Sequence, residues 1–392
     1  MTRHNNSPSD DLIRFETQIS PGFRYPIVFT RDAVSEGNNA FGEILPQDAS
    51  QRGGLLFVDQ GLADAQPGWV EAAGRKLSQA TSHTVEPILI PGGEAAKNDW
   101  NVVNLVLDRL EQARLCRHGI VVAAGGGAVL DAVGFAAALF HRGVRLIRMP
   151  STTLSQGDSG VGVKNGINRG DQKNLIGTFA PPWAVLCDLD LLKTLDRSLV
   201  LDGIAECLKV AIIKDATFFE SLENDVDAIA EGKWEAIDRA VVQSARIHAA
   251  HIASGGDPFE VGSSRPLDFG HWAAHRLESL SGYVIRHGEA VAIGIALDTI
   301  YAELAGLLSE TDSQRIVGLT VRLFGQDRLT PPLLTSRNAE GRLNILEGIS
   351  QFREHLGGTL AITLPTGVGQ AVEVDSIDES LVEKAVEILT AE

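Results

Sequence analysis

Five residues in the second half of the chain have the types and spacings of a catalytic metal site. Glu206 and Lys209 stand three apart, and His271 and His275 four apart, in stretches of helical spacing, so each pair shares one helix face. His287 precedes Gly288 and Glu289 where a further helical stretch begins. Imidazoles and a carboxylate are donors that zinc takes, and three protein ligands leave a fourth position open for substrate. Spacing leaves open which three of the five supply ligands. A Glu–Lys pair three apart is more commonly a surface ion pair of small energetic weight. Two histidines alone are a weak motif.

Ahead of them lies a segment suited to holding anionic oxygens. Residues 150–177, PSTTLSQGDSGVGVKNGINRGDQKNLIG, set Ser151, Thr152, Asp158, Lys164, Asn168, Lys173 and Asn174 among six glycines. Glycine lets backbone come close to a ligand, and lysines and amides donate to phosphate-like groups. Two lysines here, in a chain of net charge −17, focus positive charge on one place. Composition by itself fits a solvated loop. Gly125, Gly126 and Gly127, with Asp131 after them, follow an apolar run and open a helical stretch, where backbone amides can hold a pyrophosphate. This is not the GxGxxG fingerprint, because Leu130 stands at the third glycine. Asp131, read in the first helical turn, also suits the helix dipole. Glu94 and Lys97, after Pro91-Gly92-Gly93, are either exposed turn charges or contacts to ribose hydroxyls.

These groups need elements to hold them. Strand-like runs at 55–58, 85–90, 120–123, 145–149 and 184–187 alternate with helical patterns at 67–80, 99–115 and 128–141. The alternation predicts an α/β unit with a parallel sheet covered on both faces, and ligands in such sheets sit at the carboxyl ends of strands. From residue 197 helical spacing takes over, at 197–214, 234–254, 269–281, 289–305 and 378–389, with one late strand-like stretch at 359–364. The expected organisation is a disordered tail at 1–20, a Rossmann-like α/β domain at 21–190 and a mainly α-helical domain at 191–392. The ligand is expected between the two domains.

The 392 residues are 44% hydrophobic and 22% charged, an ordinary globular balance with room for two or three cores. Strong acidity without a Lys/Arg cluster argues against nucleic acid and anionic membrane as partners. Cys116, Cys187 and Cys207 are scattered and odd in number, which fits a reducing cytosol. The first eleven residues are polar, and the longest apolar tract, 120–140, carries three consecutive glycines and Asp131, unlike a signal peptide or a membrane span. A cytoplasmic enzyme is expected.

Taken in order, nine pieces resemble the motifs of the 3-dehydroquinate synthase family of sugar-phosphate cyclases. They are PGGEAAK (91–97), GGGAVLD (125–131), RGVR (142–145), PSTT (150–153), DSGVGVKNGIN (158–168), KNLIGTF (173–179), AECLK (205–209), DFGHWAAH (268–275) and HGEAVAIG (287–294). The resemblance implies a metal, zinc or alternatively cobalt, on Glu206, His271 and His287, with His275 left beside the substrate phosphate. It implies NAD contacts from Glu94, Lys97, Gly126, Gly127, Asp131, Ser151, Thr152, Lys164, Lys173 and Thr194. Asp158, Lys164, Asn174 and Lys209 take substrate-binding and catalytic positions, and Arg142 matches an arginine that reaches the phosphate across a homodimer interface. The implied chemistry is oxidation, phosphate elimination, reduction and aldol closure on one site with NAD recycled, a net lyase reaction on a seven-carbon sugar phosphate.

The departures fall at one end of the implied substrate. Ala250 stands where the family has a lysine, and no lysine occurs between Lys233 and Lys384, including FREHLGG (352–358). Asp268 replaces a family asparagine, as in relatives making valiolone-type cyclitols, and Arg265 sits one residue out of register. The pattern is similar to the dehydroquinate-synthase-like EboD group. A phosphate end kept and a carboxylate end altered favour a neutral substrate such as sedoheptulose 7-phosphate. Two other readings are a glycerol-dehydrogenase-like NAD- and metal-dependent oxidoreductase, marked by NADH release, and a non-catalytic protein that keeps the pocket. Retention of Asp158, Lys209 and the three expected ligands argues against the last.

Overall fold

The computed structural model describes residues 22–81, 83–170, 172–254, 266–355 and 360–391. The expected tail at 1–20, the register-shifted Arg265 and part of FREHLGG lie outside the described residues. Ten strands are introduced in chain order: β1 (Ile27–Thr30), β2 (Gly54–Asp59), β3 (Pro87–Ile90), β4 (Ile120–Gly125), β5 (Arg145–Pro150), β6 (Lys164–Arg169), β7 (Gln172–Phe179), β8 (Ala184–Asp188), β9 (Ile362–Gly367) and β10 (Gln370–Val374). Six of them form one sheet in the order β1-β8-β5-β4-β2-β3, and every pairing is parallel.

Both faces of that sheet are buried, as its β-branched runs require. Leu56, Val58, Val122 and Ala124 pack on one face with Trp69, Val70 and Leu77 of helix α1 (Pro67–Thr81). Phe57, Val121 and Ala123 pack on the other with helices α2 (Asn101–Gln112) and α3 (Gly127–Leu139). The chain leaves β2 toward β3 at one edge but leaves β4 toward β5 on the opposite side. That reversal opens a crevice at the carboxyl ends of β2 and β4, the place where open parallel sheets take ligands.

A third core is helical. It is built from α4 (Arg197–Lys214), α5 (Ala216–Ala230), α6 (Trp234–Ala253), α7 (His271–Leu280), α8 (His287–Leu304), α9 (Glu310–Phe324) and α10 (Glu379–Ala391), with the antiparallel pair β9–β10 beside them. Helices α4 and α8 are buried nearly all round, so both run through the centre of this core. No helix among the described residues is long and apolar enough to cross a membrane.

Three expectations need correction. Strand β1, helices α5 and α9 and strand β10 were not signalled by the apolar runs. Asp131 lies in the second turn of α3 rather than the first, so it is not a helix-dipole residue. The glycine-rich segment is not an open loop: it holds a π-turn at Ser155–Ser159 and then the antiparallel hairpin β6–β7. Its cause is Arg148 on β5, fully buried, whose guanidinium donates to the carbonyls of Ser159 (3.3 Å), Gly160 (3.3 Å), Gly162 (2.9 Å) and Lys164 (2.8 Å), and to Asn165 Oδ1 (2.6 Å). Backbone oxygens that a solvated loop gives to water are satisfied here by one side chain.

Candidate active site

Glu206 projects from the central helix α4 and is 1% exposed, with Lys209 one turn on at 3%. Burial of both is tolerable because they form an ion pair. Two further helices bring imidazoles onto the same carboxylate. His271 opens α7 with Nε2 3.7 Å from Glu206 Oε1, and His287 opens α8 with Nε2 3.1 Å from it. The helix starts are fixed by close backbone packing. Gly270 has φ +76, and a Cβ there would meet Ile295 N of α8 at 2.9 Å. A Cβ at Gly288 would meet Asp202 O of α4 at 2.7 Å. Asp298 on α8 accepts from the amide of Gly270 (3.1 Å) and the indole of Trp272 (2.8 Å), bracketing His271, while burial pushes its carboxyl up to about 7.

One ligand atom each from Glu206, His271 and His287 lies within 4.8 Å of the others. The second nitrogen of each ring is already committed: His271 Nδ1 donates to the Phe269 carbonyl at 3.0 Å, and His287 Nδ1 faces Glu278 Oε2 at 3.4 Å. Both Nε2 atoms are thereby presented to the shared carboxylate. A carboxylate with two such imidazoles fits a zinc-class divalent ion with an open position. The carboxylate and the imidazoles also set one another's charge. Burial opposes ionisation of Glu206, but Lys209 and the two imidazoles hold its carboxyl well below the ordinary range. Burial also opposes charge on His287, yet Glu206 and Glu278 raise it to about 10. His275 is not one of the three: exposed on the next turn of α7, it stands with its ring 5.3 Å from that of His271 and 6.4 Å from that of His287.

The π-turn carries Asp158 into the same neighbourhood. Burial opposes its charge, but His248 and Lys209 lower its pKa. His248 Nδ1 of α6 lies 2.8 Å from Asp158 Oδ1. That histidine was missed from sequence, where attention fell on Ala250, which is exposed at the end of α6. The charges of Glu206, Asp158 and Asp268 all raise the Lys209 ammonium against burial, which places Asp268 within electrostatic reach of the cluster.

Residues expected to hold a dinucleotide gather at the crevice. Gly126 caps α3 and Gly127 begins it beside the end of β4. Lys97, buried, donates to Asp131 Oδ2 (2.6 Å) and pairs with Asn174, whereas Glu94 is exposed and accepts from Asn168 (3.4 Å). Ser151 and Thr152 follow β5, and the Thr152 hydroxyl bonds that of Ser155 at 2.8 Å. Asp59, which ends β2, lies directly behind Gly92 and Gly125. Lys173 points away from this group to Glu278 on α7, at 2.8 Å. Lys164 is exposed at the start of β6, and the exposed Thr194 donates its hydroxyl to the Leu191 carbonyl. Arg142 is exposed in a turn with φ +62.

Known proteins resemble this chain over most of its length. Residues 87–202 match the family model for the 3-dehydroquinate synthase N-terminal region, and 203–329 match that for the C-terminal region. A 3-dehydroquinate synthase of Pelobacter propionicus is 38% identical over 77% of this chain and 81% of its own length. A 2-epi-valiolone synthase of Actinosynnema mirum is 32% identical over 85% of each. The solved 2-epi-5-epi-valiolone synthase of Streptomyces hygroscopicus subsp. jinggangensis 5008, with NAD+ and Zn2+ bound, superposes with a TM-score of 0.80 at 25% identity, covering 96% of this chain and 99% of that one.

Proposed function

This chain belongs to the 3-dehydroquinate synthase family of sugar-phosphate cyclases, and on that premise we propose that it is an NAD- and zinc-dependent cyclase that turns a seven-carbon sugar phosphate into a carbocycle with loss of phosphate. The observation that carries the reading is the Glu206–His271–His287 donor set, closed on one side by Lys209 and Asp158. When bound, the metal supplies Lewis acidity to a substrate hydroxyl and the nicotinamide supplies a reversible hydride acceptor. Lys209, an ammonium, would donate to the substrate oxygens, and Asp158, a carboxylate, would accept from the hydroxyls and take up the proton one of them gives up. Gly126, Gly127, Asp131 and Lys97 hold the dinucleotide at the crevice, and His275 with Arg142 of a second copy binds the phosphate. The glycerol-dehydrogenase-like reading is not favoured, because both family models and both curated relatives are of the cyclase kind.

A neutral substrate suits the charges best. Asp268 already acts on Lys209, His248 is committed to Asp158, and position 250 offers only a methyl group. A substrate carboxylate would add a further negative charge, and a buried carboxylate without its own cation costs several kcal/mol. We expect kcat/KM for sedoheptulose 7-phosphate to exceed that for the carboxylate-bearing substrate of 3-dehydroquinate synthases by about tenfold or more, which is about 1.4 kcal/mol. A preference for the acid would overturn the substrate assignment while leaving the family intact.

A further inference from the structure

Glu278, the carboxylate behind His287 Nδ1, is only 3% exposed. It stands seven residues after His271 on α7, which brings it round to the same helix face. One of its oxygens faces His287 Nδ1 at 3.4 Å, and the other accepts from Lys173 Nζ of β7 at 2.8 Å. A continuous line of polar contacts therefore runs from β7 through Lys173, Glu278 and His287 to Glu206 and Lys209. A carboxylate behind an imidazole fixes the ring's orientation and tautomer and raises its basicity as a ligand.

We propose that Glu278 is a positioning residue of the metal centre, holding His287 with Nε2 toward Glu206 and tying that ligand to strand β7 through Lys173. The inference rests on the metal-site reading above. It explains why a buried acid persists on a helix whose other inward residues are apolar or ligating: each oxygen has its own donor, and the donors come from different layers of the fold.

The test is zinc affinity of the full chain, freed of metal by a chelator and titrated with Zn2+ against a competing indicator. Glu278→Leu removes both acceptors and should weaken zinc about 10- to 100-fold. Glu278→Gln keeps the shape and one acceptor oxygen and should fall between that variant and wild type, a partial rescue that simple loss of packing would not give. The visible bands of the Co2+-loaded protein should shift in both, and these report ligand geometry even if Glu278→Leu folds poorly. Zinc affinity within twofold of wild type in Glu278→Leu, or unshifted Co2+ bands in Glu278→Gln, would overturn the proposal. Absence of a tight zinc site in wild type would instead overturn the metal reading beneath it.

Discussion

Glu206 shows how one residue organises the site. Its single buried carboxylate faces Lys209 from its own helix and imidazoles from two others, so no partner can be removed without leaving charge uncompensated. The two histidines of HxxxH divide their work. His271 belongs to the donor set, while His275, one turn on and exposed, does not. His271→Ala should therefore lose stoichiometric zinc and activity together, whereas His275→Ala should keep the metal and raise KM for the sugar phosphate. Metal analysis beside steady-state kinetics checks both, and full zinc in His271→Ala would contradict the assignment. Spacing alone left five residues for three ligand places; family motifs narrowed them to Glu206, His271 and His287, which the structure brings together. Neither source revealed Glu278 or His248: Asp158 lies 90 residues from His248 and Lys173 105 from Glu278, and Glu278 meets His287 only because the chain turns between two helices.

At the scale of elements, the site depends on helix starts and on one clamped turn. Helix α4 was legible in full, and α7 and α8 to within two residues, since their apolar spacing and flanking glycines are strong local signals. The hairpin β6–β7 was not legible. Its glycines and polar residues carry no clear alternation, and what orders the turn before it is Arg148, a charged residue inside an apolar strand. Arg148→Met should leave several buried carbonyls without donors and cost about 3 kcal/mol or more. Denaturant unfolding would register that loss. The variant should also lose turnover beyond its loss of folded protein, since Asp158 directly precedes the first clamped carbonyl and Lys164 carries the last. A variant as stable and active as wild type would contradict this role.

Across the whole molecule, a parallel sheet and a helical core meet over the site through groups from both sides. Asp158 reaches His248, Lys173 reaches Glu278, and the donor set sits between them. The alternation of runs predicted the parallel sheet, because both its faces are buried; the strand order, with its reversal between β2 and β4, has no local signature. The chain has 34 Lys and Arg against 51 Asp and Glu, and the lysines near the site are each paired with a carboxylate, Lys97 with Asp131, Lys173 with Glu278 and Lys209 with Glu206. The most direct test of the cyclase reading follows phosphate and NADH together, with protein, Zn2+, a catalytic amount of NAD+ and sedoheptulose 7-phosphate in excess. Phosphate release far beyond the amount of NAD+ present is expected, with no build-up of NADH absorbance, because the cofactor is returned in each cycle. NADH accumulating in step with substrate consumption, without phosphate release, would contradict the cyclase reading.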